Sequence, residues 1–208
     1  MARKPAHEQF DTLRAIQDCA FDLFGRYGYD GVSIGTISTA AKLSKGALYW
    51  HFDSKEALFL ACLKRLHSLF DSYIFDRMRE PDADPVAAVA LLFQGTAQLL
   101  QDPLMRNGGA GYWLIPDSPE TAMLAAEQRA FEARSAQAIR DVLARGTAIG
   151  RFDLGDDLDD MSRAIISVVV TVILPLRDQS PDTANRTLRV LTRTLFRAYG
   201  SKGSIPQL

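Results

Sequence analysis

Between Val32 and Lys55 the chain carries the groups needed to hold a phosphate backbone and to read the edge of a base. Ser33 and Ser44 supply hydroxyls, Lys45 and Lys55 ammonium groups, and Tyr49 and His51 further donors. From Val32 to Phe52 there are two lysines and no acidic residue. A serine at a helix N-cap stands beside free backbone N–H groups, and together they bind a phosphate well. Lys45 can reach guanine O6 or N7, and Ala47 can meet a thymine methyl. Gly46 permits that approach because it has no side chain. Trp50 either packs against the first helix or touches the same partner. Lys55 falls in the first turn of its helix, where the dipole disfavours a cation. It is either a solvated lysine or a phosphate contact that offsets this cost.

These groups need two short helices and a tight turn to position them. Ser33 can cap a helix that presents Ile34, Ile37 and Ala41 on one face. Lys42-Leu43-Ser44 forms the turn, and Ser44 caps a second helix of about two turns, too short to stand alone in water. Leu43, Leu48 and Phe52 are its inward anchors, which leaves Lys45, Gly46, Ala47, Tyr49, Trp50 and His51 outward. Small residues, aromatics and one lysine make a poor solvent face. They suit a DNA groove, and the segment reads as a helix-turn-helix.

The segment resembles the tetracycline-repressor (TetR) family of transcription regulators. The resemblance rests on Ile37 with Ala40-Ala41, Ser44-Lys45-Gly46, Leu48-Tyr49-Trp50-His51-Phe52 and Ser54-Lys55-Glu56-Ala57-Leu58-Phe59. The preceding helix adds Ile16, Ala20, Leu23-Phe24 and Tyr27-Gly28-Tyr29, so the likeness spans roughly residues 10 to 66. The Tyr-Trp-His-Phe form is similar to that of multidrug-efflux repressors within the family. Two positions depart from the pattern. Lys42 stands where the family has a turn glycine, so a left-handed backbone there would cost roughly 1–2 kcal/mol more. Ser38 replaces an alanine, and its hydroxyl can bond the carbonyl four residues earlier.

Net charge over the 208 residues is −1 with pI near 6.3, so the whole chain has no bulk attraction for nucleic acid. The case for DNA therefore rests on local distribution. An architectural DNA binder would be basic throughout, and this chain is not. Acids gather instead at 153–160, as at a solvated helix start. Arg3 and Lys4 form a basic tail that is either disordered or reaches a minor groove. Cys19 and Cys62 form neither a disulfide framework nor a zinc site, and no His pair has ligand spacing. Both cysteines are expected as small apolar residues on buried helix faces. Of the histidines, His51 joins the DNA-facing cluster, while His67 is expected at the surface or a pocket rim. There is no Gly-x-Ser-x-Gly elbow, phosphate loop or metal signature, so neither an enzyme nor a cofactor is expected. The N-terminus has no apolar targeting core, and Ile165–Leu174 is too short to span a bilayer; a cytoplasmic protein away from membranes is expected.

The remaining pattern is helical: about 8–27, a long helix from 54 towards Arg79 capped by Asp53 or Ser54, 86–100, 120–144, 158–176 and 182–199. The fold class is all-α, with an N-terminal three-helix DNA-binding domain at 8–54 and a helical bundle at 55–200 for ligand binding and dimerisation. Ala164, Ile165, Val168, Val169, Val172 and Ile173, with Leu188, Leu191, Leu195 and Ala198, form apolar stripes expected to pair two subunits through about 158–199. Phe70, Tyr73, Phe93, Thr96, Trp113, Phe131 and Arg134 are expected to line a pocket for a small hydrophobic or aromatic effector. The breaks at 107–111 and 116–119 would give it a mobile entrance. Together with the family resemblance, these features imply a ligand-responsive repressor that binds a palindromic double-stranded operator as a homodimer. A helical carrier or enzyme whose DNA-binding part is secondary is the alternative.

Overall fold

A computed structural model describes residues 6–80, 83–107, 109–155 and 157–200. The helices are α1 (Ala6–Tyr27), α2 (Ile34–Ala40), α3 (Lys45–Tyr49), α4 (Lys55–Phe70), α5 (Asp76–Met78), α6 (Pro85–Leu99), α7 (Pro103–Asn107), α8 (Ala122–Ala148), α9 (Leu158–Arg177) and α10 (Pro181–Tyr199). A π-helical turn at Asp71–Phe75 joins α4 to α5, and 3-10 turns occupy Ala110–Trp113 and Pro119–Thr121. No strand occurs among the described residues, where the one β-type contact is an isolated bridge between Phe152 and Gly200. The fold class expected from the sequence is thus the one observed. Arg3, Lys4, Pro81, Gly108 and Asp156 lie outside the described residues.

Two compact units divide the chain, one formed by residues 1–66 with 107–128 and the other by 67–106 with 129–208. In the first, Ile16, Ala20, Phe21 and Phe24 of α1 meet Ile34 and Ile37 of α2, Leu48 of α3, and Leu58, Phe59 and Cys62 of α4 in a buried core. Phe24 and Tyr29 both meet the Phe59 ring edge to face, with centroids 4.9 and 5.3 Å apart. Phe21, not among the α1 residues that carry the family resemblance, is fully buried, whereas Leu23, which is among them, is only partly so.

In the second unit α6 is the central helix, with contacts to the π-helical turn, α9 and α10. Gly95 allows the closest of these, since a Cβ there would stand 2.3 Å from the Tyr73 carbonyl oxygen. Ile165, Val169 and Ile173 of α9 and Leu188 of α10 are buried within a single chain. These four residues, expected in a seam between subunits, are therefore core of one subunit. The hydrophobic effect does not distinguish the two fates from sequence.

Helix ends follow capping chemistry. Ser33, Ser44, Asp84, Asp157 and Ser180 each accept a backbone N–H at their helix start. At the start of α4 the cap is Ser54, whose Oγ accepts Ala57 N–H at 3.0 Å, and not Asp53. The α2–α3 turn is a Schellman motif: Leu43 N–H donates to Ser38 O at 2.8 Å and Lys42 N–H to Thr39 O at 3.0 Å. Lys42 takes the left-handed residue of that motif, φ +56°. Ser38 is buried, and its hydroxyl donates to Gly35 O at 2.9 Å, three residues back instead of four. The seven-residue α2 offers that nearer carbonyl in its first turn.

Lys42→Gly should raise stability, because relief of left-handed strain outweighs the extra freedom glycine gives the unfolded chain, by about 0.5–1 kcal/mol net. Urea unfolding followed by circular dichroism measures this, and an unchanged or lowered midpoint would contradict it.

Candidate nucleic-acid interface

The reading face is built on α3. Ser44 Oγ accepts Ala47 N–H at 3.1 Å, which fixes where α3 begins. Leu48 is fully buried and is its main anchor, while Leu43 and Phe52 are half-buried. Lys45, Gly46, Tyr49 and Trp50 are then exposed, with Ala47 and His51 partly so. Trp50 is 69% exposed, so it is not packed away against α1. Its ring meets His51 edge to face at 5.0 Å. A Cβ at Gly46 would find only Ser44 Oγ, 3.9 Å away, so nothing inside the fold requires glycine there. Ser33 Oγ accepts Thr36 N–H at 3.0 Å and shares a hydrogen bond with Thr36 Oγ1 at 2.9 Å.

Two residues that position the basic groups were not picked out in the sequence. Gly35 makes room for Lys45, since a Cβ there would lie 3.0 Å from Lys45 Cε and 3.3 Å from Nζ. A glycine inside a short helix is a poor helix former, and that mismatch was the available signal. Tyr29 receives Lys55, whose Nζ stands 4.0 Å from the ring centroid. A cation held over an aromatic face gains about 0.5–1 kcal/mol or more, which offsets its unfavourable place in the first turn of α4.

The core beneath this face is closed by a segment distant in sequence. Tyr112 is fully buried between Phe21 and Phe59, with centroids 5.2 and 5.1 Å away, and its hydroxyl donates to Phe21 O at 3.0 Å. Gly111 lies so close to α1 that a Cβ would stand 2.1 Å from Phe24 O and 2.7 Å from Gly28 N. Gly28 itself has φ +72° at the end of α1. Beside Tyr112, Cys62 is buried, and burial pushes its thiol up to about 12. Cys19 is half-buried instead of fully buried, and its thiol is also raised, by burial and then by Asp18 and Asp22.

The residues expected around an effector are placed as follows. Phe70 and Phe131 are buried and meet edge to face at 5.6 Å, with Phe75 at 6.1 Å from Phe131. His67 is buried, not at a surface or rim, and stacks on Phe131 at 4.0 Å and 4° from parallel. The helical spacing placed it beside Lys64 and could not reveal a phenyl ring sixty-four positions on. Arg134 is exposed, its guanidinium 6.0 Å from the Phe131 centroid. Phe93 and Thr96 are buried on α6, and Thr96 Oγ1 donates to Leu92 O at 2.6 Å. Tyr73 is half-buried and its hydroxyl donates to Asp102 Oδ2 at 2.9 Å, a bond that raises its phenol above the ordinary value. Trp113 is half-buried and belongs to the first compact unit. Among the described residues no His, Cys, Asp and Glu cluster could hold a metal, and no helix is long and apolar enough to cross a membrane.

Fold and site together define a helix-turn-helix module joined to a helical bundle. Residues 16–62 match the family model of bacterial regulatory proteins, tetR family. The chain is 44% identical over 59 residues, 28% of its own length and 27% of the relative's, to the HTH-type transcriptional regulator AcrR of Shigella flexneri. It is 30% identical over 108 residues, 51% of each chain, to the HTH-type transcriptional regulator TtgR of Pseudomonas putida. It thus spans about half or less of these curated relatives, which are named as regulators and not as enzymes. Among solved structures, the SmeT–triclosan complex superposes with a TM-score of 0.76 over 95% of this chain and 96% of that one, at 22% identity. SmeT is described elsewhere as the repressor of the Stenotrophomonas maltophilia multidrug efflux pump SmeDEF. At that identity the likeness is one of fold.

Tyr112 closes the reader core, so substitutions there should act on stability. Tyr112→Phe, which loses one buried hydrogen bond, should cost about 1 kcal/mol. Gly111→Ala should cost about 1–3 kcal/mol through overpacking against α1. Denaturant titration of both variants measures the pair, and an alanine variant as stable as the parent would refute the close approach. Because the raised thiol value keeps Cys62 protonated in mildly alkaline buffer, it should resist a disulfide exchange reagent until the protein unfolds, whereas Cys19 reacts first.

Proposed function

We propose that the chain is a ligand-responsive transcriptional repressor, working in the cytoplasm, that binds a palindromic operator as a homodimer and leaves it when a small hydrophobic or aromatic effector binds. The observation that carries this reading is α3. A five-residue helix capped by Ser44, anchored by Leu48 and presenting exposed Lys45, Gly46, Tyr49 and Trp50, has a surface suited to a major groove. Residues 8–54 act as the reader and 55–200 as the body that binds effector and partner.

Each residue has a part in that contact. Lys45 addresses a guanine edge and Ala47 a thymine methyl, with Gly46 admitting the groove between them. Ser33 and Ser44 offer hydroxyls and helix N-terminal N–H groups to phosphates, and Tyr49, His51 and Lys55 complete the backbone contacts. Lys55 arrives already docked on Tyr29, so little side-chain freedom is lost when it meets a phosphate. Trp50, being exposed, adds an apolar contact beside His51.

Pairing of subunits uses the parts of α9 and α10 that one chain leaves open. Ala164, Val168 and Ala198 are exposed and Val172, Leu191 and Leu195 half-buried, and Val190, 60% exposed, joins them. An apolar surface of this kind on two adjacent helices favours a symmetric four-helix seam. Within the second unit the effector would meet Phe70, Tyr73, Phe93, Thr96, Phe131 and Arg134, the aromatic groups supplying apolar contact and Arg134 and Tyr73 polar ends. Phe70, Phe131 and His67 pack on one another, so an effector must part them. That requirement couples binding to a change of shape, and release follows where the effector favours the state with mis-spaced readers. The SmeT complex with triclosan supports an effector of this size and polarity.

Sedimentation at micromolar concentration should give a dimer, and a monomer would sink the seam. Against an operator enriched from genomic fragments, Lys45→Ala should relax base preference at one position and cost about 1–3 kcal/mol. Lys55→Ala should weaken all sequences about equally and reduce the steep salt dependence. Wild-type binding by both variants would overturn these roles. Hydrophobic effectors such as triclosan should quench Trp113 fluorescence in a Trp50→Phe background and release the operator from the unmodified protein, whereas failure across a broad screen would remove the effector site.

A further inference from the structure

Arg186, Arg189, Arg193 and Arg197 recur along α10 at spacings of three and four and so share one face of the helix. All four are exposed. Among the described residues none of them has a carboxylate within ion-pair distance, and the polar contact recorded for the row runs from Arg186 Nη2 to Thr183 Oγ1 at 3.1 Å. Several other arginines of this chain do meet acids: Arg65 with Asp18 at 2.6 Å, Arg79 with Asp71 at 2.9 Å, Arg140 with Asp159 at 2.5 Å. The row on α10 is positive charge left unmatched.

At the edge of the row, between α6 and α10, lies a cleft of about 220 Å³. Phe93, Ala97 and Leu188 supply its apolar surface, Gln94 and Thr192 its polar edge, and Arg189 is the one charged residue lining it. Thr192 Oγ1 is already committed to Leu188 O at 2.8 Å, so it does not offer its proton to a guest. Asn185 is a further polar neighbour, and the guanidinium is the one cationic donor at a mostly apolar slot. Arg186 and Arg193, one helical turn to either side, raise the potential at its mouth.

From this pairing we infer that the α6–α10 cleft is a binding site for a small amphipathic organic anion, of the class of medium-chain alkyl or aryl carboxylates. The apolar body leaves water against Phe93 and Leu188, and the carboxylate accepts the two parallel N–H groups of Arg189. A neutral apolar guest would gain the first contact and lose the second. A nucleic acid would gain the charge and leave the slot unfilled. The volume lies just below the roughly 300–1,000 Å³ of drug-sized sites, which fits a slender chain better than a fused ring system. The site shares Phe93 with the effector residues proposed above but includes neither Phe70 nor Phe131, and it stands whether or not the chain is a repressor.

Isothermal titration of the full chain with decanoate, kept below its micelle concentration, tests the inference, with decanol as the neutral control. Decanoate should saturate at one molecule per chain, weaken as salt is raised, and bind at least tenfold more tightly than decanol. Arg189→Gln should weaken it at least tenfold with an unchanged melting curve, because the residue is exposed. Ala97→Phe should abolish binding by filling the slot, and Gln94→Trp, at an exposed position, serves the same purpose if Ala97→Phe alters the melt. No saturable binding, equal binding of decanol, or undiminished binding by Arg189→Gln would each overturn the site.

Discussion

A helix of five residues cannot sustain itself in water, and everything around α3 follows from that constraint. The cost of nucleating a first turn is not repaid by the few hydrogen bonds so short a helix makes. Three contacts make up the difference: Ser44 caps its start, Leu48 is buried beneath it, and the Schellman turn sets its direction from α2. Each is local in sequence. None of them uses the side chains of Lys45, Gly46, Ala47, Tyr49, Trp50 or His51, which are therefore not constrained by the holding of the helix. The separation of holding residues from reading residues explains how Gly46, a poor helix former, can stand in the middle of the element.

The core of the first unit is not closed by the first four helices alone. Tyr112 fills the space among Phe21, Phe59 and Cys62, and Gly111 lets its backbone lie directly on the end of α1. The residues that close this core thus come from a segment about forty positions beyond the end of α4, and they group with α1 to α3 in one compact unit. Any change that withdraws Tyr112 would leave a void among large aromatic rings, where lost packing is costly. Such an arrangement ties the integrity of the reader to a stretch of chain flanked on both sides by residues of the second unit.

Cations on this chain are handled in two ways. Lys45 and Lys55 are steered by neighbours, Gly35 and Tyr29, that fix where the ammonium groups stand. Arg65, Arg79, Arg140, Arg151, Arg163 and Arg177 of the body are matched by acids, largely exposed pairs that add little to stability. The α10 row follows neither pattern. Unmatched charge on a folded surface carries a small self-repulsion, so its grouping beside an apolar slot marks it off from the solvated surface elsewhere.

The sequence by itself determined the helix-turn-helix and the all-α class, because both are written in short-range terms. Caps act over three residues and helical stripes over three and four, while the left-handed turn at Lys42 was implied by the family resemblance. The same locality explains the errors. Asp53 and Ser54 compete for one cap, and only the finished turn chose Ser54. His67 looked exposed until Phe131 was laid on it, and Cys19 looked as buried as Cys62. Ile165, Val169, Ile173 and Leu188 carried the same apolar signal as Val168 and Val190, yet the first group is core and the second is surface. Periodicity reports that a face is apolar and is silent on what covers it. Tertiary structure decided that question, along with Tyr112 and Gly111, since contacts between residues dozens of positions apart leave no mark in local spacing.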